Sequence, residues 1–413
     1  MFSSNNPYVD ETTPMTSDPQ LLHKLSHPIA YPVVFTENVF DPANRALVDT
    51  LDHLKENRVH RAMVFIDSNV ADAQPELIQQ IILYFDSHSD DIELAEEPRV
   101  IPGGEIIKND MEVVGPMISA MIDAHLCRHS YAIIVGGGAV LDTVGLAAAL
   151  MRRGIRVVRI PTTFFAQVNA GLGLEVSVNF DGQKNSVGSF APPFAVLNDW
   201  QFFYSLTDLD WLGGVTEAFR LALLFDGEWF DELYSMLNVL PQRRSEDLAY
   251  LQSRTAQLYL NALEKEGDPL EAHSGRALDL GHWSAYKLEA ISGFEIPHTE
   301  ALAMGVLIDA CYASRQGWLS GPDFERIYTA FAQLGVPLWF PELEEVSADG
   351  NLSLFHGIPD FQEHKGGMLS IPFPTGFGST RMEYLIDLAV MEDVLEQLKC
   401  LAQSSVELQN EPL

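Results

Sequence analysis

The sequence predicts an α/β N-terminal domain with a parallel, Rossmann-like sheet, followed by a mainly α-helical C-terminal domain. Three observations predict this fold class. Short β-branched segments alternate with helical segments as far as residue 198, which is typical of a parallel sheet covered on both faces. Residues 130–151 read as a strand, then a glycine turn, then a helix. The turn consists of Gly136, Gly137 and Gly138. Beyond residue 199 the strand pattern fades and helical periodicity dominates.

The elements of the first half follow from hydrophobic patterning. Residues 30–35 (AYPVVF) predict the first strand, and residues 43–56 the first helix. A turn rich in glycine, residues 102–105, interrupts the alternation. The remaining segments are a strand at 61–67, helices at 75–87 and 109–125, a strand at 130–135, a helix at 142–151, and strands at 155–160 and 195–198.

The second half reads as helices separated by Gly and Pro at the expected boundaries. We predict helices at 215–224, 231–240, 246–265, 283–290, 300–316 and 321–333, a short hairpin within 361–373, and a closing helix at 382–403. The predicted domains are a flexible tail at 1–29, an α/β domain at 30–199 and a helical domain at 200–413.

Charge and composition exclude several classes of function. The 413 residues include 58 acidic and 25 basic side chains, for a net charge of −33, which disfavours binding to nucleic acid or anionic membranes. No uninterrupted apolar run reaches the ~18 residues of a membrane span, and the N-terminus lacks the features of a signal peptide. Cys127, Cys311 and Cys400 are scattered, which suits free thiols. We therefore expect a cytoplasmic protein.

The glycine turn has two interpretations. Glycines let backbone N–H groups approach a pyrophosphate, and the positive end of the following helix faces the same anion. The spacing of Gly136, Gly137 and Gly138 differs from the usual dinucleotide fingerprint, however. An ordinary tight turn and a nucleotide site both remain open on this stretch alone.

The helical half contains one candidate set of metal ligands: Glu217, His282 and His298. One carboxylate and two imidazoles with an open fourth position is the pattern of catalytic zinc. The chain has 12 histidines, and a histidine on an amphipathic helix is more often part of the core or the surface. Spacing alone does not decide between a metal site and ordinary structural histidines.

Several motifs together resemble 3-dehydroquinate synthases and related sugar phosphate cyclases. They are GGGAVLDTVGLAAALMRRGIRVVRIPTTFFAQVNAGLG, VNFDGQKNSVGSFAPPFAVLND, GGVTEAFRLAL, LDLGHWSAYKLE and PHTEALAMGV, in the order and approximate spacing of that superfamily. The resemblance covers roughly residues 62–310. LDLGHWSAYKLE and EHKGGMLSIPFPTGFG are most similar to the 3-dehydroquinate-synthase-like branch of ebo-type operons. The resemblance implies NAD in the N-terminal domain, a zinc ion between the domains, and a homodimer.

The resemblance also implies a role for individual residues. The positions implied to contact NAD are Asp67, Glu105, Lys108, Gly136, Gly137, Gly138, Asp142, Thr162 and Thr163. The implied ligands of zinc, or of cobalt or another divalent ion, are Glu217, His282 and His298. The implied catalytic positions are Lys184, Arg220, Arg276, Tyr286 and Glu175. The implied substrate-binding positions are Arg153, Asn169, Asn179, Asn185 and Lys365, with Arg153 reaching into the neighbouring subunit.

The implied reaction is the closure of a phosphorylated sugar into a carbocycle. In that chemistry zinc acidifies a hydroxyl while NAD takes its hydride, and the resulting ketone allows phosphate to leave by elimination. NADH returns the hydride, and ring opening with an intramolecular aldol step closes the carbocycle. The resemblance thus implies a carbon–oxygen lyase acting on a phosphate, with no net redox change.

Several positions depart from the family pattern near the expected phosphate. Glu175 and Asn169 stand where the family has a lysine and an aspartate, and a carboxylate at 175 would repel a phosphate dianion. Arg220 replaces a lysine, which keeps the positive charge but gives up easy proton donation. Tyr286 replaces a histidine that assists phosphate departure. Lys365 is a candidate replacement cation, and a solvated turn is its alternative interpretation.

Two other functions remain open from the sequence. A zinc- and NAD-dependent polyol or glycerol-type dehydrogenase has the same architecture and stops after hydride transfer. A non-catalytic homologue would keep the cofactors and turn nothing over. Net turnover of free NAD distinguishes the dehydrogenase from a cyclase, which recycles bound NAD.

Overall fold

A seven-stranded parallel sheet organises the N-terminal half of the chain. The computed structural model describes residues 28–266, 270 and 276–410, and the elements given below are those of this part. The strands are β1 (Val33–Thr36), β2 (His60–Asp67), β3 (Ile92–Leu94), β4 (Arg99–Ile101), β5 (Tyr131–Gly136), β6 (Arg156–Pro161), β7 (Glu175–Phe180), β8 (Gln183–Phe190), β9 (Ala195–Asp199), β10 (Ile371–Gly376) and β11 (Ser379–Glu383).

The strand order places a crevice at the ends of β2 and β5. The sheet runs β1-β9-β6-β5-β2-β3, with β4 also paired to β2, and every pairing is parallel. The chain moves outward from β2 to β3 and β4, then returns to β5 on the other side of β2. Ligands of open α/β sheets bind at the carboxyl ends of strands where the order reverses in this way. Asp67 ends β2 and Gly136 ends β5 at this point.

Helices cover both faces of the sheet and form most of the second half. They are α1 (Ala46–Leu51), α2 (Ser68–Ala73), α3 (Leu77–Ser87), α4 (Val114–Asp123), α5 (Gly138–Leu150), α6 (Phe164–Val168), α7 (Asp208–Phe225), α8 (Gly227–Ser235), α9 (Ser245–Glu266), α10 (His282–Ile291), α11 (His298–Arg315), α12 (Gly321–Leu334), α13 (Gly357–His364) and α14 (Leu388–Asn410).

Alternate residues of the central strands feed two separate cores. Met63 and Phe65 of β2 pack in the cluster that includes α4 and α5, whereas Val64 and Ile66 pack on the opposite face with α1 and α3. All of β5 is buried, because helices cover both of its faces. Continuous apolar strands of this kind are typical of parallel sheets. The sheet is therefore a rigid support for the residues at its carboxyl edge.

The helical half packs around a third core. Trp211, Trp229 and Trp283 are buried there with the apolar faces of α7, α11 and α12. Local signals set the helix starts: the hydroxyl of Thr207 accepts from the N–H of Asp210, and Ser320 caps α12 in the same way. Helix α7 is buried along most of its length, which holds Glu217 inside the protein.

The predicted fold class is confirmed, and several element boundaries differ. The hairpin β7/β8 and the short strands β3 and β4 were not predicted. The helix predicted at 109–125 begins only at Val114, because two short 3₁₀ turns precede it. The C-terminal hairpin lies at β10/β11 rather than within 361–373, and the closing helix begins at Leu388. Helix α1 is shorter than the predicted 43–56.

The predicted tail at 1–29 lies outside the described residues except for 28 and 29. Residues 31–413 group into one compact unit by their contacts, and the division at 199/200 stays a prediction. Within the described part of the chain, none of the helices has the length and apolar character needed to cross a membrane.

Candidate active site

The glycine turn lies at the crevice formed by β2, β5 and β6. Gly137 precedes α5, so the N–H groups at the start of this helix face the crevice. A Cβ at Gly136 would lie 2.9 Å from the side chain of Val140 and 3.0 Å from that of Asp67, so a larger residue would have to displace one of them. A Cβ at Gly103 would lie 1.8 Å from the Asp67 carboxylate. Backbone from two loops therefore closes tightly around Asp67.

Asp67 has its carboxylate directed at the turn. Its oxygens accept from the N–H groups of Asn69 at 2.9 Å and of Gly137 at 3.5 Å. Burial raises the pKa of Asp67, and these backbone hydrogen bonds oppose the increase. Thr162 and Thr163 follow β6 beside the turn: Thr162 donates its N–H to the Gly136 carbonyl, and the Thr163 hydroxyl caps α6. The residues predicted to contact NAD at the ends of β2, β5 and β6 therefore lie together.

A second group of predicted residues surrounds Lys108. Its ammonium lies 2.6 Å from Asp142 of α5 and 2.6 Å from the Asn185 side-chain oxygen of β8. The Asn179 oxygen accepts from the N–H of Asn185 at 2.9 Å, and the amide of Asn179 reaches Asn109. The hairpin β7/β8 is thereby attached to the edge of the crevice. These contacts bring Asn179 and Asn185, predicted to bind the substrate, next to Lys108 and Asp142, predicted to bind NAD.

Lys184 connects the two halves of the site. Its ammonium contacts the carboxylate of Glu105 and lies 2.5 Å from that of Glu289 in α10. Burial alone would lower the pKa of Lys184, but Glu289 and Glu105 raise it to about 12. Lys184 is therefore a permanent cation near neutral pH. It is a hydrogen-bond donor here rather than a base.

Glu289 also orients His298, the first residue of α11. Its second oxygen lies 2.7 Å from Nδ1 of His298, and its side chain is completely buried. A carboxylate on one ring nitrogen leaves the other nitrogen as an electron-pair donor, which is how proteins hold metal-binding imidazoles. Sequence reasoning missed Glu289. Its spacing of seven residues from His282 places it on the same face of α10, and this could have indicated it.

Glu217 is held by its own helix and by α6. Arg220 donates to both of its oxygens at 2.7 Å, and the Asn169 amide donates to Oε1 at 2.8 Å. Arg220 also donates to the Leu278 carbonyl at 2.8 Å and is almost fully buried. The Arg220 guanidinium therefore orients the Glu217 carboxylate and also holds the loop before α10.

His282 begins α10 and is surrounded by aromatic rings. Its ring centroid lies 5.9 Å from that of His298 and 5.4 Å from that of Tyr286. Tyr286 in turn lies 5.8 Å from the ring of His364. Burial, with Arg220 and His298 adding to it, keeps the pKa of His282 well below its usual value, so the imidazole is neutral. Nδ1 of His282 is buried and has no hydrogen-bond partner among the described residues.

The cations expected to meet a phosphate are paired with carboxylates. Arg276 lies 3.5 Å from Glu175 and 3.8 Å from Asp279, and Lys365 lies 2.9 Å from Asp279. Glu175 is thus matched to Arg276, which lessens the repulsion that the sequence suggested. Lys365 is buried beside Asp279, so the solvated-turn interpretation does not hold for its side chain.

Arg153 lies apart from these groups. It is exposed just beyond the C-terminal end of α5, whose other end carries the glycine turn. A helix of 13 residues spans about 20 Å, so Arg153 does not reach the crevice of its own chain. The structure brings the other predicted site residues to the crevice or to the adjoining cluster around His282.

Three side chains of this cluster have the donor atoms that a divalent ion needs: His282, His298 and Glu217. The two imidazole rings are close enough for one nitrogen of each to reach the same ion at ~2.0–2.1 Å. His282 offers an unpartnered, neutral ring nitrogen, and His298 is oriented by Glu289. Glu217 is turned to Arg220, and among the described residues its Oε2 accepts from Arg220 alone, which leaves an acceptor direction there. In residues 28–266, 270 and 276–410 no three acidic, histidine or cysteine side chains are already arranged around a metal position.

Comparison with known proteins agrees with this architecture. Residues 99–212 match the family model described as 3-dehydroquinate synthase N-terminal, and residues 214–354 match the C-terminal model. The chain is 30% identical over 371 residues to a 2-epi-5-epi-valiolone synthase of Actinomyces sp, covering 88% of this chain and 93% of that one. The chain belongs to the 3-dehydroquinate synthase family.

Other family members are similar over nearly their whole length. A 3-dehydroquinate synthase of Caldanaerobacter subterraneus is 28% identical, with 90% of this chain and 97% of the relative covered. The solved structure of ValA, a 2-epi-5-epi-valiolone synthase from Streptomyces hygroscopicus with NAD+ and Zn2+ bound, has a TM-score of 0.81 and 27% identity, covering 92% and 99% of the two chains. The predicted superfamily is confirmed, and the ebo-type branch and the residue roles stay predictions.

Proposed function

We propose that the protein is an NAD- and divalent-metal-dependent sugar phosphate cyclase that converts a phosphorylated sugar to a carbocycle with loss of inorganic phosphate. One observation carries the proposal. The ammonium of Lys184 contacts Glu105 beside the glycine turn and Glu289 beside His298, so the two halves of the site share one buried charge network. A dinucleotide and a metal ion held at these places would meet the same substrate. Similarity to ValA over 92% of the chain supports the assignment.

The glycine turn suits the pyrophosphate of NAD. The N–H groups that open α5 face the crevice, and Asp67 offers a carboxylate to hydroxyl groups. Lys108 stands beside Asp142, so these two side chains would contact the nucleotide from α5 and from the 3₁₀ turn that carries Glu105. The packing around Gly136 shows that this backbone is closely fitted to Asp67.

Glu217, His282 and His298 would hold the divalent ion, which is zinc, cobalt or another such ion. When bound, NAD accepts and later returns a hydride, and the ion acidifies a hydroxyl of the sugar. Glu289 keeps a proton on Nδ1 of His298, which leaves Nε2 for binding. Arg220 holds Glu217 in place through both oxygens. Glu217, Arg220 and Glu289 are buried, whereas His282 and His298 are partly accessible from the crevice, where a substrate would approach.

The remaining polar side chains would bind the sugar and its phosphate. Lys184 and Asn185 present donors from β8. The ring of Tyr286 lies 5.4 Å from that of His282 and 6.0 Å from that of His298, so its hydroxyl would be the proton carrier of this cluster. Arg276 and Lys365 lie with Glu175 and Asp279, so the phosphate would bind in a region of nearly balanced charge.

We propose further that the enzyme is a cytoplasmic homodimer in which Arg153 of one subunit serves the phosphate site of the other. The exposure of Arg153 at the far end of α5 supports this arrangement. Mixing an Arg153→Ala variant with a His282→Ala variant should restore part of the activity, because a mixed dimer has one intact site. No recovery in a mixture that sediments as a dimer would contradict the shared site.

The decisive experiment measures release of inorganic phosphate. The protein is loaded with Zn2+ and NAD and tested on a panel of seven-carbon sugar phosphates, some with and some without a carboxylate. A cyclase releases phosphate without accumulating NADH, and a chelator stops the release. Net NADH formation would instead indicate the dehydrogenase, and bound cofactors without any turnover would indicate a non-catalytic homologue. His282→Ala should remove both metal and activity.

A further inference from the structure

The start of α10 is clamped against α11. Gly281 has φ of +82°, and a Cβ at Gly305 of α11 would lie 2.1 Å from the Gly281 carbonyl oxygen. A Cβ at Gly281 would in turn lie 2.8 Å from the backbone of Val306. The two backbones therefore touch where α10 begins. His282 is the first residue of α10, and His298 is the first residue of α11.

The carboxylate of Asp309 also holds the start of α10 against α11. Asp309 lies one helical turn beyond Gly305 and has no exposure to solvent. Its Oδ2 accepts from the N–H of Gly281 at 2.7 Å, and its Oδ1 accepts from the indole N–H of Trp283 at 2.8 Å. Asp309 thus holds the residue before His282 and the residue after it. Within the described part of the chain, the hydrogen bonds of its carboxylate go to Gly281 and Trp283, not to the glycine turn or to a residue that we assign to the substrate.

The two partners require a carboxylate at this position. Both are hydrogen-bond donors, and aspartate is the short side chain whose two oxygens both accept. An asparagine could satisfy one partner, but its NH2 group would then face the other donor. Burial raises the pKa of Asp309 to about 7, against the effect of the two hydrogen bonds, so the carboxylate is kept at this place at an energetic cost.

The His282 ring has no direct hydrogen bond at Nδ1 among the described residues. Gly281 has no side chain to cap α10. His298, in contrast, is oriented directly by Glu289. The direction of the His282 imidazole therefore depends on its backbone, on the packing of Trp283 and on the neighbouring rings of Tyr286 and His298. Asp309 holds the first two of these.

We propose that Asp309 is a positioning residue that keeps His282 in its metal-binding orientation by fixing Gly281 and Trp283 on either side. The inference rests on the proposed function, because it assigns His282 to a metal ion. Asp309 does not contact His282 and acts on it through Gly281 and Trp283. Replacing a carboxylate that bonds a metal ligand directly changes metal affinity about 10–100-fold, so we expect an effect at or below the lower end of that range.

The test uses Co2+, whose visible absorption reports the arrangement of its ligands. Asp309→Asn should weaken Co2+ binding up to about 10-fold in chelator competition and alter the visible band of the saturated protein. The double variant Trp283→Phe with Asp309→Asn should recover part of the affinity and spectrum, because the amide NH2 no longer meets a donor. Cys311→Ser, also buried on α11, is the matched control and should keep the wild-type affinity.

The outcomes are separable. Wild-type affinity and spectrum in Asp309→Asn would overturn the inference while the proposed function stands. Wild-type protein that binds no Co2+ would overturn both. Should Asp309→Asn fail to fold in urea titrations, Trp283→Phe alone removes one of the two hydrogen bonds and leaves the carboxylate. A weaker, altered Co2+ complex in that variant supports the inference, and an unchanged complex overturns it.

Discussion

At the scale of single residues, the site is organised by charges that balance one another. Three predicted cations of the site have a carboxylate beside them: Lys184 has Glu289, Arg220 has Glu217, and Arg276 has Glu175. Buried charges require such partners, because desolvation is costly. Replacing one member of a pair therefore affects its partner as well. The following two predictions use this property.

We predict that Glu289→Gln weakens Zn2+ binding about 10–100-fold in chelator competition. Glutamine cannot accept from both His298 and Lys184 without presenting its NH2 group to one of them. Loss of a buried ionic partner should also lower the free energy of unfolding in urea by about 3–5 kcal/mol. The exposed Glu295→Gln serves as a control and should change neither quantity. Unaltered metal affinity in folded Glu289→Gln would exclude the role given to this carboxylate.

We predict that Glu175→Gln strengthens the binding of inorganic phosphate, measured by calorimetry. The change removes a negative charge 3.5 Å from Arg276 and leaves the side-chain shape intact. Glu175 is partly exposed, so the expected gain is at most about 1 kcal/mol, or roughly fivefold in affinity. Glu97→Gln at the edge of the sheet is the control. Equal phosphate affinities in the three proteins would show that Arg276 does not meet the anion.

At the scale of elements, the hairpin β7/β8 carries more of the predicted site than any single helix. Glu175, Asn179, Lys184 and Asn185 all belong to it. Phe180 pairs with Gln183 across a two-residue turn, Asp181-Gly182, in which both residues have positive φ. Asp-Gly is a strong hairpin signal, and attention to it would have found this element. The turn sets the register that places Lys184 and Asn185.

We predict that Gly182→Ala lowers the free energy of unfolding by about 1–2 kcal/mol and weakens NAD binding. The φ of +73° is unfavourable for a residue with a Cβ, although no atom lies within 4 Å of the added carbon. Gly115→Ala in α4 is a matched control, because its added Cβ also meets nothing within 4 Å and its φ is ordinary. That substitution should stabilise the protein by about 0.5–1 kcal/mol. Similar effects of the two substitutions in urea would contradict the argument.

At the scale of the whole molecule, the net charge of −33 opposes the approach of a phosphorylated substrate. The local cations do not reverse this field, because Arg276 and Lys365 are paired with carboxylates. Attraction at short range and repulsion at long range respond differently to salt, since exposed charges are screened beyond ~10 Å at 0.1 M.

We predict that kcat/KM for the phosphorylated substrate rises as NaCl increases from about 10 to 100 mM. Screening weakens the long-range repulsion more than the contacts inside the buried site. Metal content and the urea midpoint, measured across the same series, control for changes in the protein itself. A steady fall of kcat/KM over this range would show that a positive region near the crevice dominates substrate approach.

The sequence by itself determined the fold class and the family, and it supplied the residues that we propose for the site. Hydrophobic periodicity and the glycine turn are local properties, and a parallel sheet brings the ends of β2, β5 and β6 together whatever the loops between them. The motifs that carry the resemblance are equally local. For this reason Asp67 and Gly136 could be expected at one edge of the sheet from the strand pattern, whereas Lys108 and Asn185 were named only through the resemblance.

Only the tertiary structure decided how the charged residues are paired. Lys184 meets Glu289 across 105 residues, and Glu175 meets Arg276 across 101 residues. No periodicity connects positions so far apart, because their distance depends on how the hairpin β7/β8 packs against α10. The same holds for Asp309, whose role depends on the contact between Gly281 and Gly305. The chemistry expected at Glu175 changed accordingly, from repulsion of a phosphate to neutralisation of an arginine.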